Sequence, residues 1–310
     1  MARHTTTGAN PATNVLQDVY LERYITALRK RTGVIYPLGR KGTLPEGSGT
    51  NTRWQYFAAP SAVTVNVAAE GNDPGDVDFT TSSVEGTLEE FGGVTPYTRL
   101  LAKSGLSGTI EEIIDLLGYQ AGLSVEVRTI SEVDGTSTSF NAGVAMSASG
   151  LLQSVQTLVN NGAVGSDAAG GKYVFIGSTE SIFDMIGEGN SIWNVAKNRD
   201  IESKLLMPLN DASDSGIYMT SVRLSQSIQR NTATSPDDDQ NLLIAKDAFG
   251  VSDLDTNALN PSVVLTTPQE SVHVPARNRG TAAWLLYFKA KLADSSRVVK
   301  VLSDATGVGA

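Results

Sequence analysis

Between Thr109 and Glu132 apolar residues recur at three- and four-residue spacing: Ile110, Ile113, Ile114, Leu117 and Ala121 fall on one face of a helix. Thr109, with Glu112 three residues on, reads as a capping box that satisfies orphan N–H groups at the helix start. Glu111, Glu112 and Asp115 stand in the first turns and Arg128 near the end, the order the helix dipole favours. About 24 residues give ~36 Å of helix, long for a globular domain and suited to a backbone on which other parts hang. Gly118 and Gly122 each cost roughly 1 kcal/mol against alanine unless something comes close to them. They lie four apart, on one face, where a strand or another chain could approach. Taken alone, the segment also suits an ordinary core helix.

Either side of this helix the pattern changes. Residues 1–13 are rich in Thr, Asn, Gly and Pro and read as a disordered or extended arm. Asn14–Arg31 carries an apolar stripe of Val15, Leu16, Val19, Tyr20, Tyr24 and Leu28, predicting a helix that ends in Arg29, Lys30 and Arg31 and stops at Gly33. From Lys41 to Gly93 the pattern is that of strands. Thr52–Phe57 and Ala62–Ala68 alternate, with Val63, Val65 and Val67 facing one way and Thr64 and Asn66 the other. EGNDPGDVD (Glu70–Asp78) is a turn cluster, and Phe79–Leu88 can return as a second strand. A two-stranded ribbon is marginal by itself in water. Its aromatics Trp54, Tyr56, Phe57 and Phe79 therefore need a partner surface, in this subunit or a neighbour.

After the long helix a Ser/Thr/Gly break (Asp134–Ser139) leads into a region of mixed pattern. Ser149–Val159 and Ser178–Gly187 are predicted helices, and Lys172–Ile176, Ile217–Leu224 and Gln240–Ile244 strands, with Thr232–Gln240 a loop. Arg297–Leu302 reads as a strand, and Ala282–Leu292 as a strand or a helix. There is no internal repeat, and the class is α+β.

Composition narrows the function. A chain of 310 residues with 40% hydrophobic and 18% charged residues can bury a substantial core. It has no cysteine, which excludes disulfides, thiol nucleophiles and Cys-ligated zinc. The opening MARHTTTGANPATN has no apolar core for a signal peptide, and no apolar run approaches the ~20 residues that span a bilayer. The expectation is a soluble product made in the cytoplasm. The net charge of −9 is unevenly placed. Met1–Arg53 holds eight Lys/Arg against three Asp/Glu, Trp54–Thr95 seven acids and no Lys/Arg, and Arg277–Lys300 six bases against one acid. A chain dominated by nucleic-acid contact carries a basic surplus overall, which this one lacks.

Candidate chemistry is thin. Of two histidines, His4 lies in the arm and His273 in a strand-like SVHVP, with no G-x-S-x-G serine to join it. GSDAAGGK (Gly165–Lys172) departs from a phosphate loop: it has one residue too many before Lys172, Tyr173 replaces Ser/Thr, and it precedes a strand. Asp253-x-Asp255-x-Asn257 opens like a calcium loop, but Ala258 and Val264 replace its glycine and closing glutamate. Asp237–Asp239 and Asp73, Asp76 and Asp78 read as solvated turns rather than a cation site. The expectation is no catalytic, cofactor-binding or metal residue. An enzyme using Asp/Glu clusters and a β-rich surface or ligand-binding module without catalysis stand as alternatives to a structural role.

The order of several phrases resembles tailed-phage major capsid proteins with the Johnson fold, and more particularly their N4-like branch. TNTRWQYFAAP (Thr50–Pro60) resembles the strand entering that family's extended loop, and AAEG (Ala68–Gly71) its acidic Glu-Gly turn. GTLEEFGGVTPYTRLL (Gly86–Leu101) is similar to the returning strand and IIDLLGYQAGLSVEV (Ile113–Val127) to the spine helix. LLIAKDAFGV (Leu242–Val251) and VPARNRGTAAWLLYFKAKL (Val274–Leu292) resemble the closing segments.

The resemblance implies an N-terminal arm over 1–38, an extended loop lying over a neighbouring subunit over 39–100, a peripheral domain with the spine helix over 101–145 and 271–310, and an axial domain over 146–270. It implies pentamers and hexamers in an icosahedral shell holding packaged double-stranded DNA, contacted without sequence preference. Scaffolding, portal and decoration proteins would be partners; no membrane or cofactor is involved. The product would belong to the virion, after assembly in the host cytoplasm. Trp54, Tyr56, Phe57, Val65, Phe79, Leu88, Gly118 and Gly122 are then the expected intersubunit contacts. Some members cross-link by a lysine–asparagine isopeptide bond, but this loop has no lysine beyond Lys41, so none is expected from it. Deleting Thr52–Leu88 is expected to leave a folded, assembly-deficient subunit.

Overall fold

A computed structural model describes residues 23–28, 34–44, 49–57, 81–98, 109–142, 145–187, 216–217, 220–232, 237–254, 262–266 and 279–304. The helix read from the apolar spacing is present as α1, Thr109–Asp134, about 39 Å long at 1.5 Å per residue. Ile114, Leu117, Ala121, Val125, Ile130 and Val133 are buried along it. The side chain of Thr109 lies outside the described residues, and the expected capping box with it. Of the predicted Asn14–Arg31 helix, 23–28 is described and helical.

One sheet lies against α1. Its centre is the 14-residue strand β13, Arg279–Leu292, so the segment that the sequence left open between helix and strand is a strand. Ala282, Trp284, Leu286, Phe288 and Ala290 are buried and the residues between them half-buried, a two-residue period that no helix can present. β13 pairs antiparallel along one edge with β4, Glu89–Thr98. Its other edge is shared end to end by β12, Ser262–Thr266, and β11, Phe249–Leu254. β1, Arg40–Leu44, adds parallel to β11.

The second sheet runs in the order β5 (Ser139–Asn141), β14 (Val298–Asp304), β10 (Asp238–Ile244), β6 (Tyr173–Gly177), β8 (Thr220–Leu224) and β7 (Gly216–Ile217). β9, Arg230–Asn231, pairs with the start of β10. β6 is buried at every residue. Val174 and Ile176 join Leu242, Ile244 and Val298 in the core shared with α1 and the first sheet. Tyr173 and Phe175 face the other way, with Leu243, Val299 and Val301, onto a second core. That second core is closed by α2, Ala148–Asn160, through Leu151, Val155 and Leu158, and by α3, Thr179–Gly187, through Ile182 and Met185. Ser147 caps α2 by accepting from the Gly150 N–H at 3.1 Å. Strand β10 begins inside the segment read as a loop, at Asp238.

Two chain crossings between the sheets, at 245–248 and 293–297, run beside the link from α1 to the second sheet at 134–139, and the three are bonded together. The Ala245 N–H donates to the Arg297 carbonyl at 3.0 Å, and those of Ala293 and Asp294 to the Ala248 carbonyl at 2.9 and 3.1 Å. Thr136 and Thr138 hydroxyls both donate to the Ser295 carbonyl, at 3.1 and 3.0 Å. Lys300 pairs with Asp134 at 3.0 Å, and the Arg297 guanidinium donates to the Lys246 carbonyl at 3.3 Å. Asp247 takes the left-handed conformation (φ 55°) at the tightest of these turns.

Candidate assembly surfaces

The ribbon pairs β2, Asn51–Phe57, antiparallel with β3, Thr81–Thr87, in register from Asn51↔Thr87 to Phe57↔Thr81. Its base is seated inside the subunit. Trp54 is 4% exposed and lies in a slot formed by three glycines from three strands. A Cβ on Gly250 would stand 2.4 Å from its ring, one on Gly42 2.9 Å and one on Gly86 3.0 Å. The partner surface that Trp54 requires is thus its own subunit. Beside it the hydroxyls of Thr52 and Ser252 are bonded at 2.8 Å, both buried. On the opposite face of the ribbon the contacts are polar and exposed: Arg53 donates to Ser83 at 2.7 Å, and Thr87 to Asn51 at 2.8 Å. Tyr56 and Leu88 are half-buried. The side chain of Phe57, and Val65 and Phe79 entirely, lie outside the described residues.

Gly118 and Gly122 are both buried on α1. What approaches Gly118 is the helical segment 23–28 of the same chain: a Cβ there would stand 2.7 Å from the Tyr24 carbonyl oxygen and 2.9 Å from the Ala27 Cβ. Arg23 fastens that segment, donating from Nε to both Asp115 oxygens at 2.9 and 3.0 Å and from Nη1 to Glu111. The two carboxylates raise the Arg23 pKa, Asp115 first. α1 also has a second apolar stripe that the reading of its buried face missed. Leu116, Tyr119 and Val127 are 62%, 44% and 43% exposed, with Leu123 half-buried between them. Their spacing of three, four and four was the signal available. β4 is bonded to β13 alone among the described strands and presents Val94, 67% exposed.

Buried polar groups mark where elements are fixed. Asp239 is 2% exposed and not in a solvated turn. Its carboxylate accepts from Arg230 Nε at 2.9 Å and from the hydroxyl of Ser178, which also caps the Ser181 N–H at 3.1 Å. Arg230 reaches on to Glu180 at 2.5 Å, and its pKa is raised, chiefly by the bond to Asp239. Asn241 and Ser303 complete the cluster through Ser181. Glu126, fully buried on α1, accepts from the Ser225 hydroxyl. Lys289 bridges Glu89 at 2.5 Å and Glu132 at 3.4 Å, binding β13 to β4 and α1. The Gly165–Lys172 segment folds on itself, with the Ser166 and Gly171 N–H groups donating to the Lys172 and Ser166 carbonyls, both at 2.9 Å. Asp253 lies on β11, 3% exposed, rather than in a cation loop. Among the described residues no three His, Cys, Asp or Glu are grouped to hold a metal ion, and no helix is long and apolar enough to cross a membrane. His273 and Asp73, Asp76 and Asp78 lie outside the described residues.

No protein-family description and no curated protein matches the chain. Solved structures do. The capsid of Ralstonia phage GP4 is 12% identical, with a TM-score of 0.66 over 90% of this chain and 93% of that one. The acidic stable capsid of Helicobacter pylori bacteriophage KHP30 is 8% identical, with a TM-score of 0.60 over 85% and 88%. A virus-like particle from Pyrococcus furiosus is 10% identical, with a TM-score of 0.53 over 92% and 98%. The α+β architecture described above is the Johnson fold of tailed-phage capsids.

Proposed function

We propose that the chain is a major capsid protein that self-assembles into the icosahedral shell of a tailed double-stranded DNA phage, in a structural and non-catalytic role. The observation carrying this reading is the likeness to the Ralstonia phage GP4 capsid over nine-tenths of both chains. Residues 1–38 would serve as the arm, 39–100 as the loop over a neighbour, 101–145 with 271–310 as the peripheral domain, and 146–270 as the axial domain. Placement in the N4-like branch rests on the ordered phrases from Thr50–Pro60 to Val274–Leu292.

The physics of a shell is many repeated contacts, and obligate interfaces often bury about 2,000 Å² or more. Tyr56, Phe57, Val65, Phe79 and Leu88 on the ribbon are the contacts proposed toward neighbours, together with the exposed stripe of α1. Trp54 and Gly118 act one step back, holding the ribbon and the 23–28 segment in place. The net charge of −9 suits confinement of DNA better than tight attachment to it. Scaffolding, portal and decoration proteins complete the proposed partners, with assembly in the host cytoplasm and the virion as destination.

Electron microscopy of the purified protein tests this. Shells or rings of capsomers are expected; monodisperse monomers at high concentration would overturn it. The likeness to the Pyrococcus furiosus particle supports a second reading, a shell that is not a phage head. Shells purified from the producing cells and filled with double-stranded DNA favour the first reading, and shells without it the second.

A further inference from the structure

Residue Asp253 has no part in the assembly contacts proposed above, yet it is a buried carboxylate at the point where three elements meet. It pairs in register with Thr43 of β1 on one side and Phe288 of β13 on the other. Above it sits Tyr36 of the 3-10 turn Tyr36–Leu38, whose ring packs on Phe288 at 6.2 Å between centroids. The Tyr36 hydroxyl donates to Asp253 Oδ2 at 3.4 Å, a long bond for a carboxylate. The next residue back, Ser252, bonds Thr52 at the ribbon base. Strand β11 thus carries the N-terminal turn on the face of Asp253 and the ribbon base on the opposite face, through Ser252.

We infer that Asp253 is a proton-operated latch, tying the N-terminal turn at Tyr36 to the strands from which the ribbon springs. Protonated, the carboxylic acid gives the Tyr36 hydroxyl a neutral partner that can donate as well as accept, and no charge is buried. Ionised, it holds a buried charge on the long bond from Tyr36 and a bond from its own backbone N–H. Few charges answer it. Lys41 of β1, 5.3 Å over the Tyr36 ring, reaches it electrostatically. The other cations on neighbouring strands are engaged elsewhere: Arg40 with the Gln55 carbonyl, Arg53 with Ser83 and Glu85, and Lys289 and Lys291 with Glu89 and Glu132. Burial accordingly pushes the Asp253 carboxyl up to about 6 from an ordinary 3.8, against the smaller opposing pulls of Tyr36, its own backbone N–H and Lys41. The sign follows from linkage. The folded state binds the proton more tightly than the unfolded state, so stability is lost as pH rises from the ordinary value through the raised one. Closure buries the carboxyl, and that burial outweighs the preference of the Tyr36 bond for the carboxylate, so the closed state is favoured on the acid side and loosens toward neutrality. Its consequence for how a ribbon engages a neighbour rests on the shell reading, but the latch itself does not.

The test is denaturant unfolding of the full-length chain at pH 5.0 and 7.5, beside Asp253→Asn. Between those pH values the parent's unfolding constant should rise about tenfold more than the variant's, the factor that a shift from 3.8 to about 6 gives. Equal pH dependence in the two overturns the proposal. Should Asp253→Asn not fold, Tyr36→Phe decides. Removing the hydroxyl that favours the carboxylate should move the midpoint of the pH dependence upward, and an unmoved midpoint overturns it. Hydrogen exchange over 34–57, corrected for intrinsic rates, should be more protected at pH 5.0 than at 7.5. Equal protection would show that the carboxylate fastens neither turn nor ribbon. A chain that forms no shells yet shows these shifts would sink the capsid reading and keep the latch.

Discussion

At the scale of single residues, glycines decide more than side chains do. Helix propensity alone predicts that Gly118→Leu stabilises α1 by roughly 1 kcal/mol. The Tyr24 carbonyl and Ala27 Cβ, 2.7 and 2.9 Å from the position of a Cβ, reverse the sign. Overfilling a site of this kind costs about 1–3 kcal/mol, so the variant should unfold at lower urea than the parent; equal midpoints would show that segment 23–28 gives way freely. Trp54→Ala empties the slot made by Gly42, Gly86 and Gly250 and should cost about 3–5 kcal/mol in the same measurement. A loss under 1 kcal/mol would mean that the ribbon base is held elsewhere. The need of Trp54 for a cover was legible in the sequence. The cover itself was not, because its three glycines come from separate strands. Asp239 was misread for the same reason: the hydroxyl of Ser178 that satisfies it is 61 positions away. Short-range pattern cannot distinguish a solvated DDD from a strand start with a buried acid.

At the scale of elements, legibility followed the length of the period. α1, α2 and α3 each repeat an apolar face, and their observed ranges differ by one or two residues from those read. β1, RKGTL, shows almost no alternation because its partner β11 and the Trp54 ring supply the apolar contact. β11 was hidden behind the resemblance of Asp253 and Asp255 to a calcium loop. The ribbon needs a sharper cut than the sequence suggested. Deleting Thr52–Leu88 takes Trp54 with it, so that deletion destabilises the subunit as well as removing the loop. Trimming beyond the Phe57–Thr81 pair and closing it with a two-residue turn spares Trp54 and its partner Val84. That variant should unfold like the parent and fail to form shells in the electron microscope. If it forms shells as readily as the parent, the outer ribbon is not an intersubunit clamp.

For the molecule as a whole, class and order of parts were legible through many weak phrases, each of little weight alone. It could not show the meeting of distant loops. The acidic stretch Trp54–Thr95, without a lysine, bears on how a shell would be locked. With no amine on that part of the loop to attack an asparagine, shells boiled in denaturant should run as monomers on a gel, and ladders above the monomer would defeat that expectation. The bonded segments at 134–139, 245–248 and 293–297 bear on how such a shell would bend. Their hydrogen bonds and the Lys300–Asp134 pair weld the two sheets, so neither can swing without breaking several contacts at once. In the proposed shell each copy would behave as a stiff tile. The change of angle between a five-fold vertex and a flat facet would then be absorbed at the seams between tiles, and internal pressure would load those seams before it strained any one of them.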